Sequence, residues 1–569
     1  MDFQKLVDVY EELERTSSGN ALREILSTFF KTVPKEDIAM ISYLTLGQIT
    51  SEYESVVLGM AEKMVLKAIA SASGNDIAKV QKIMQETGDV GLTAEKVLQK
   101  KPRTLVPVGK LTVQELFDTL QKIADASGTG SQDRKTNLLV SLLQKSSPQG
   151  AKYISRIVLG TLRMGVGDMT VLDALAIAFT GEKKNKEYLE KAYNICPDVG
   201  VIAETIAHKG LKGLEKIDVH VGRPIKMMLA QRVKSWEEIQ KKMPGKVAAE
   251  GKYDGERVQA HQDKKGRISL FSRRLENITD QFPDLAEYLQ KQITAKEYVI
   301  EGEVIAVDEK GKLLPFQTLM QRRRKYDVEE YVQKIPVQIK LFDLLFVNGE
   351  SYIHEPYEKR IAQLANIVKK SKHVVLADQL ISDDHTEINR FFQNMVKEGD
   401  EGIMIKNLEG EYQAGTRGWN WIKWKKEYVK EMVDTFDLVV VGAFHGRGRR
   451  SGTYGALLCA AYNKKKDQFE TVCKLGTGLT DEMLTELPKM LAKYKVNTKP
   501  ARVMVKKEME PDVWFDPKVV VEVLAAEITK SPFHALGLAL RFPRFIRYRE
   551  DKNAEQATTT KEIQEMAGK

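Results

Sequence analysis

The sequence predicts a multidomain protein in which an all-α domain is followed by an α+β domain and then by a small β-barrel domain. Three observations predict it. Apolar residues recur at helical spacing through roughly the first 215 positions. Short runs rich in β-branched and aromatic residues, separated by helical stretches, fill the middle. Beyond Asp437, strand-like runs alternate with glycine- and charge-rich turns, which suits a barrel. The expected boundaries are 1–218, 219–427 and 428–569.

In the first domain Leu22, Ile25, Leu26, Phe29, Phe30 and Val33 follow the i, i+3, i+4, i+7 rule, and Pro34 ends the run. Val113, Leu116, Phe117, Leu120 and Ile123 repeat it behind a capping box of Thr112 and Glu115, with Gly128 as a stop. Such stripes are core. In the middle domain strands are expected at 247–249, 257–262, 298–308, 337–347 and 402–406, with helices at 282–292 and 358–368. In the last, strands are expected at 438–443, 456–461, 470–474 and 518–528. The polar tail after Asn553 carries one short helix, and no internal repeat is present.

Composition sets the outer limits. The 569 residues include 88 Lys plus Arg and 79 Asp plus Glu, a formal charge of +9; 42% are apolar and 29% charged, as in soluble globular domains. From Tyr428 onward, 24 basic residues face 19 acidic ones, a mild bias toward a polyanionic partner. No apolar run approaches the ~20 residues that span a bilayer, and the N-terminus shows no basic-then-apolar export signal. A cytoplasmic protein with no membrane partner is expected. Cys196, Cys459 and Cys473 are the only cysteines, which excludes a disulfide framework and a four-Cys zinc site. There is no His-Glu-x-x-His, no Gly-x-x-x-x-Gly-Lys-Ser/Thr loop and no Gly-x-Gly-x-x-Gly opening a helix, so any nucleotide is handled another way.

Four segments carry chemistry. Glu250-Gly251-Lys252-Tyr253-Asp254-Gly255-Glu256-Arg257 reads as strand, tight turn and returning strand, displaying Lys252 beside Glu250 and Arg257. A Lys-x-Asp-Gly arises by chance in roughly one chain in seven of this length, so alone it means little. Glu301 and Glu303 share one face of an apolar strand; burying two carboxylates calls for a divalent cation or a pair of arginines. Glu401 heads an apolar strand that ends in Lys406. Lys423 and Lys425 alternate with Ile422 and Trp424, so both ammonium groups project from one side, either as a solvated edge or toward an anion.

In order, Lys252-Tyr253-Asp254-Gly255, Phe271-Ser272-Arg273-Arg274, Glu301-Gly302-Glu303, Phe342-Asp343, Glu401-Gly402 and Lys423-Trp424-Lys425 resemble the covalent nucleotidyltransferase superfamily. The segments 472–478, 540–552, 162–176 and 222–230 narrow the resemblance to ATP-dependent DNA ligases of the archaeal replicative type, across essentially the whole chain. The resemblance implies a helical DNA-binding domain, an adenylation domain and an OB-fold domain. It implies sealing of 5′-phosphate/3′-hydroxyl nicks in duplex DNA, in replication, repair and recombination, through a lysyl-AMP and a DNA-adenylate. ATP and Mg²⁺ are the implied cofactors.

By motif match, Lys252 is the nucleophile, Glu250 receives the adenine amino group and Phe342 stacks on the ring. Arg257, Arg273 and Arg417 hold ribose or phosphates, and Lys423 and Lys425 neutralise the α-phosphate. Glu303 and Glu401 position Mg²⁺, and Asp343 is an orienting group. Arg541, Arg544, Arg547, Arg549 and Lys552 read as a basic turn; the resemblance makes Arg544, Arg547 and Lys552 the element that closes over the nucleotide, with a hinge at 425–433. Gly165 and Gly167, and Lys135 behind Gly128-Thr129-Gly130-Ser131, are the expected contacts to DNA phosphates, although each glycine pair also suits a helix stop. Nicked double-stranded DNA is the implied partner and a monomer the expected state, nucleoid-associated inside the cell. A sliding clamp is a further implied partner, yet 99–105 lacks the aromatic pair of a docking peptide and reads as a loop. Alternatives are an RNA ligase, a capping nucleotidyltransferase, or a non-catalytic nucleic-acid clamp.

Overall fold

The structure is a computed structural model, and it describes residues 1–16, 18–99, 110–233, 235–323, 327–369, 371–425, 434–446, 453–525 and 527–567. Most of the loop read at 99–105, and of the hinge read at 425–433, lies outside these. Among the described residues no helix is long and apolar enough to cross a membrane.

The N-terminal region is helical from Phe3–Glu14 to Val199–Leu214 around one apolar core. The predicted stripes are the buried faces: Leu22, Leu26, Phe29 and Phe30 belong to the helix Gly19–Phe30, which stops four residues before Pro34. Thr112 caps Val113–Asp125 by accepting from the Glu115 amide at 3.1 Å. Only half of the capping box forms, because the Glu115 carboxylate turns to Lys145 instead.

The middle region holds eleven strands among the described residues: β1 (Leu229–Arg232), β2 (Val247–Lys252), β3 (Glu256–Gln262), β4 (Ile268–Ser272), β5 (Tyr298–Ala306), β6 (Val337–Val347), β7 (Glu350–Ser351), β8 (Val374–Leu376), β9 (Gln379–Ser382), β10 (Gly402–Asn407) and β11 (Arg417–Lys425). They make two sheets, β1-β11-β10-β2-β9 and β4-β3-β5-β6-β7, with β8 added alongside β6. The first sheet buries Val247, Ala249, Ile403, Ile405, Ile422 and Trp424 against the helices Trp236–Lys242 and His385–Glu398. The second buries Val258, Ile300, Val304 and Ile339 with residues of Pro283–Gln292 and Tyr357–Ile367. Between the sheets lies a third apolar cluster that includes Met228, Val299, Phe342, Leu345, Tyr412 and Trp421. Side-chain alternation therefore sends the polar residues of β2, β3, β5, β10 and β11 into the space between the sheets.

One sequence expectation fails here. β2 and β3 are not a hairpin: β2 pairs with β10 and β9, whereas β3 pairs with β4 and β5. Tyr253-Asp254-Gly255 carries the chain from one sheet to the other. Gly255 makes the crossing because a Cβ there would collide with the Val304 carbonyl and with Glu303.

The C-terminal region is built on a curled sheet. β12 (Asp434–His445) pairs with β13 (Tyr454–Asn463), with β17 (Val513–Phe515) and with β18 (Val520–Ala525). β14 (Gln468–Leu475), β15 (Lys495–Val496), β16 (Val503–Met504) and β21 (Arg544–Tyr548) complete the sheet, while β19 (Glu527–Lys530) and β20 (Leu538–Arg541) form a separate ribbon. The run expected at 518–528 is thus divided between two sheets. The tail ends in the helix Thr560–Ala567.

Candidate active site

The register of the first sheet assembles the site in rows. Lys252 on β2, Gly402 on β10 and Lys425 on β11 are opposite one another. The next row is Glu250, Met404 and Lys423, and a third aligns Lys406 with Trp421. Alternation puts these side chains on the cavity side, as the spacing of Lys423 and Lys425 predicts. Glu401 precedes Gly402 and accepts from Lys252 Nζ at 2.6 Å and from Lys425 Nζ at 2.8 Å. Burial opposes the charge on Glu401, but Lys252 and Lys425 more than offset it and hold the carboxyl well below its usual range. Two ammonium groups converging on one carboxylate make a strongly polar cavity floor.

At the Glu250 end the cavity is lined by Phe342, Met404, Lys406 and Trp421. Glu250 is 2% exposed. It takes Lys406 Nζ at 2.6 Å and Gln379 Nε2 at 3.0 Å, and Tyr357 donates its hydroxyl. Lys406 also donates to the Phe342 carbonyl at 3.1 Å and packs on the rings of Phe342 and Trp421. Burial lowers its ammonium below the usual value against the opposing pull of Glu250. Phe342 and Met404 both line the cavity beside this pair. Asp343, fully buried, points away and holds Arg360 with contacts of 2.7 and 3.1 Å, so it braces the β6 strand from behind.

The two acids of β5 divide the alternatives left open by the sequence. Glu301 takes an arginine: Arg257 Nη2 lies 2.7 Å away, and Tyr412 and Gln259 add hydrogen bonds at 3.0 and 3.1 Å. Arg257 Nη1 donates to the Met228 carbonyl at 2.6 Å, which fixes the guanidinium against Phe342 and Trp421. Glu303, two residues on, lines the cavity near Lys252. Burial pushes its carboxyl up to about 8 against the pull of Lys252 and Arg257, and Glu401 adds to the rise.

The far wall is cationic. Arg232, Arg273, Arg417, Lys423 and Lys425 line it from the middle region, and Arg547, Arg549 and Lys552 from the C-terminal region. Burial, followed by Arg232, Arg417 and Lys552, depresses the Lys423 ammonium well below its usual value. Burial lowers Arg273 to about 10. Arg547 reaches Asp254 at 3.8 Å across the regions and Glu522 at 2.7 Å within its own. Asp437 holds Arg549 at 2.9 Å and also binds Lys552, and Arg417 pairs with Glu562 of the last helix.

Four sequence-predicted positions lie elsewhere. Arg544 is exposed and lies against the 476–478 loop, separated from Arg547 by a bulge in the β18–β21 pairing; Arg547 and Arg549 line the cavity instead. Lys135 is buried, and its ammonium is engaged by the Leu58 carbonyl at 2.8 Å, where it anchors the preceding loop. Gly165 and Gly167 do permit close approach, but to protein. A Cβ on Gly165 would lie 2.6 Å from Ala501 Cβ, and one on Gly167 2.8 Å from Arg502 Nη1. Sequence reasoning assigned no role to Lys406, Met404, Tyr357, Gln379, Tyr412 or Trp421. The signal for Met404 and Lys406 was alternation along β10, in phase with Glu250 and Lys252 across the register.

The donor set fits a divalent cation of the oxygen-seeking kind. Two carboxylates, Glu303 and Glu401, flank Lys252, and a buried carboxyl raised to about 8 is one that a cation relieves. Among the described residues no cluster of three or more His, Cys, Asp or Glu stands ready as a closed metal site. Two carboxylates with room for phosphate oxygens is the arrangement magnesium uses with nucleotides.

Family models match in all three regions: the DNA ligase N terminus over residues 2–176, the ATP dependent DNA ligase domain over 227–425, and the ATP dependent DNA ligase C terminal region over 450–552. DNA ligase 2 of Thermofilum pendens is 48% identical over all of this chain and 97% of its own length. A DNA ligase of Caldivirga maquilingensis is 45% identical with the same coverage, and DNA ligase 1 of Methanosarcina mazei is 43% identical over all of this chain and 99% of its own. Likeness of this extent leaves one assignment: the chain belongs to the ATP-dependent DNA ligases.

Proposed function

We propose that Lys252 carries the adenylyl group in a three-step sealing of nicked duplex DNA. The amine, having lost its proton, attacks the α-phosphate of ATP. A nitrogen–phosphorus bond forms, and pyrophosphate departs with the electrons of the broken phosphorus–oxygen bond. The AMP then passes to a 5′-phosphate, and a 3′-hydroxyl displaces it to close the strand. The observation that carries this reading is the convergence of Lys252 and Lys425 on Glu401, between a cavity end lined by Glu250, Phe342 and Trp421 and a cationic wall.

The roles follow from position. Glu250, held by Lys406, Tyr357 and Gln379, accepts the adenine amino group, and Phe342 and Met404 flank the base. Arg257, fixed by Glu301, stands at the ribose. Lys423, Lys425, Arg417 and Arg273 face the phosphates. Lys425 keeps Glu401 ionised while Lys252 is neutral, so proton loss from the nucleophile leaves no unpaired buried carboxylate. Arg547 and Lys552 reach the cavity from the C-terminal region and order the leaving group. The cofactors are ATP and Mg²⁺. Glu303 and Glu401 would hold the metal, whose chemistry is to neutralise charge on the transferred phosphoryl group.

The domains proposed are a DNA-binding domain at 1–218, an adenylation domain at 219–427 and an OB-fold domain at 428–569, acting as a monomer on nicked duplex DNA inside the cell. A sliding clamp is retained as a proposed partner. Incubation with α-labelled ATP and Mg²⁺ tests the reading: the wild type takes up label and Lys252→Ala does not. Label on both proteins overturns it. A nicked DNA duplex and a nicked RNA duplex offered in parallel separate DNA sealing from RNA sealing.

A further inference from the structure

We propose that Arg232, at the end of β1, is a further nucleotide-binding residue that grips the β- and γ-phosphates of ATP and the pyrophosphate they become. The inference rests on the reading of Lys252 as the adenylated residue.

The geometry comes from the sheet register. β1 runs parallel to β11, with Arg232 opposite Lys423. Lys423 is itself opposite Met404, and Met404 opposite Glu250. One row therefore runs Glu250, Met404, Lys423, Arg232 across four adjacent strands, each step about 4.8 Å. The base occupies the Glu250 end, and Lys423 lies two strands away at the height of the α-phosphate. Arg232 is one strand further from the base. The portion of the nucleotide lying beyond the α-phosphate is the β,γ-diphosphate.

The surroundings match that ligand. Arg232 lines the cavity, and its guanidinium lies over the Phe436 ring at 5.7 Å, so the side chain is steadied from the C-terminal side. Arg417, Lys423 and Lys552 line the same wall. Among the described residues the acids on this side include Asp437, which binds Arg549 and Lys552, Asp551, which binds Arg549, and Glu562, which binds Arg417. A triphosphate brings about four negative charges, and a guanidinium fork suits two phosphate oxygens at once. A nick offers a single phosphate for sealing, so a residue placed for the terminal phosphates acts on loading of the enzyme.

The test uses the full chain with Arg232→Met, Arg232→Lys and the wild type. Three rates are read: lysyl-AMP formation against ATP concentration, pyrophosphate-driven discharge of purified lysyl-AMP enzyme, and closure of a chemically pre-adenylated nick. Arg232→Met is expected to raise the half-saturating ATP and pyrophosphate concentrations tenfold or more together. Its defect on ATP should exceed its defect on the pre-adenylated nick by at least tenfold, with Arg232→Lys recovering some of the loss. Equal defects on all three reactions, or half-saturating concentrations that do not move, overturn the proposal. Should Arg232→Met fail to fold, the same comparison is made with Arg232→Lys, whose point charge cannot bind bidentately. Wild type that takes no label at Lys252 overturns the underlying reading; labelled wild type matched by labelled Arg232→Met overturns this inference alone.

Discussion

Glu401 Oε2 lies 2.6 Å from the ammonium of Lys252. The same oxygen lies 2.8 Å from Lys425, so one carboxylate sets the position of two cations. Replacing Glu401 with Ala leaves two ammonium groups facing each other in a buried cavity. Label transfer from ATP to Lys252 should fall by about a hundredfold or more, the scale seen when one electrostatic partner is removed from a reaction centre. Quantitative gel labelling checks it, and a loss below about fivefold would remove Glu401 from the machinery.

Glu250 and Lys406 form a buried pair at 2.6 Å, with relative exposures of 3% and 2% for their side chains. Breaking such a pair from one side costs about 3–5 kcal/mol, because the remaining charge is stranded. Lys406→Met should lower the denaturation midpoint clearly. Glu250→Gln combined with Lys406→Met should recover much of the stability but none of the ATP labelling. A double-mutant cycle by denaturant titration, run beside the labelling assay, separates the two effects.

Glu256 is buried on β3, and its nearest cation, Arg323, is 3.6 Å away. Burial pushes its carboxyl up to about 7 despite Arg323. In the unfolded chain the group ionises near 4.5. Between these values the folded protein binds more protons than the unfolded one, so this group makes stability fall as pH rises through the window. The slope is at most roughly 1.4 kcal/mol per pH unit, and it levels off above about 7. Glu256→Gln should flatten that decline and stabilise the protein above neutrality. Melting curves taken at about pH 5 and about pH 8 decide; a variant with the wild-type difference in midpoint refutes the account.

Asp467 ties the helical and C-terminal regions together. It accepts from Thr170 at 2.8 Å across the boundary and from Arg502 at 2.5 Å beside it. Arg163 donates to the Lys495 carbonyl at 2.8 Å, and Gly165 and Gly167 abut Ala501 and Arg502. The surface expected to meet DNA is therefore covered by protein in this arrangement. Asp467→Ala together with Arg163→Ala should loosen the contact, increase the radius of gyration of the DNA-free chain and raise its affinity for nicked duplex severalfold. Small-angle scattering and a binding titration at fixed salt read both; an unchanged radius counts against the latch.

The helices Gly19–Phe30 and Val113–Asp125 were legible because each has one apolar stripe facing the core of the region. The strand at 337–347 was legible for a similar reason, since Val337, Ile339 and Leu341 alternate with Gln338 and Lys340 before an apolar stretch from Leu344 to Val347. Pairing was less legible: nothing local in 250–257 tells a hairpin from a crossing between sheets, and the deciding contact is with Val304 and Glu303, nearly fifty residues away. The same separation hid Tyr357 and Gln379, which reach Glu250 from elements that show no motif of their own. Lys135 misled because a basic residue behind glycines suits a phosphate as well as a loop carbonyl, and only burial separates the two.

Gly402 sits between Lys252 and Lys425 with φ of +149°, and a Cβ there would strike the Trp424 carbonyl. Even alanine has to push β11 away, and β11 carries Lys425. A library with every amino acid at this codon, selected for survival on ligase activity, should return glycine alone. The smallest residue in the row that joins the two lysines is thus the one for which the genetic code offers no synonym in shape.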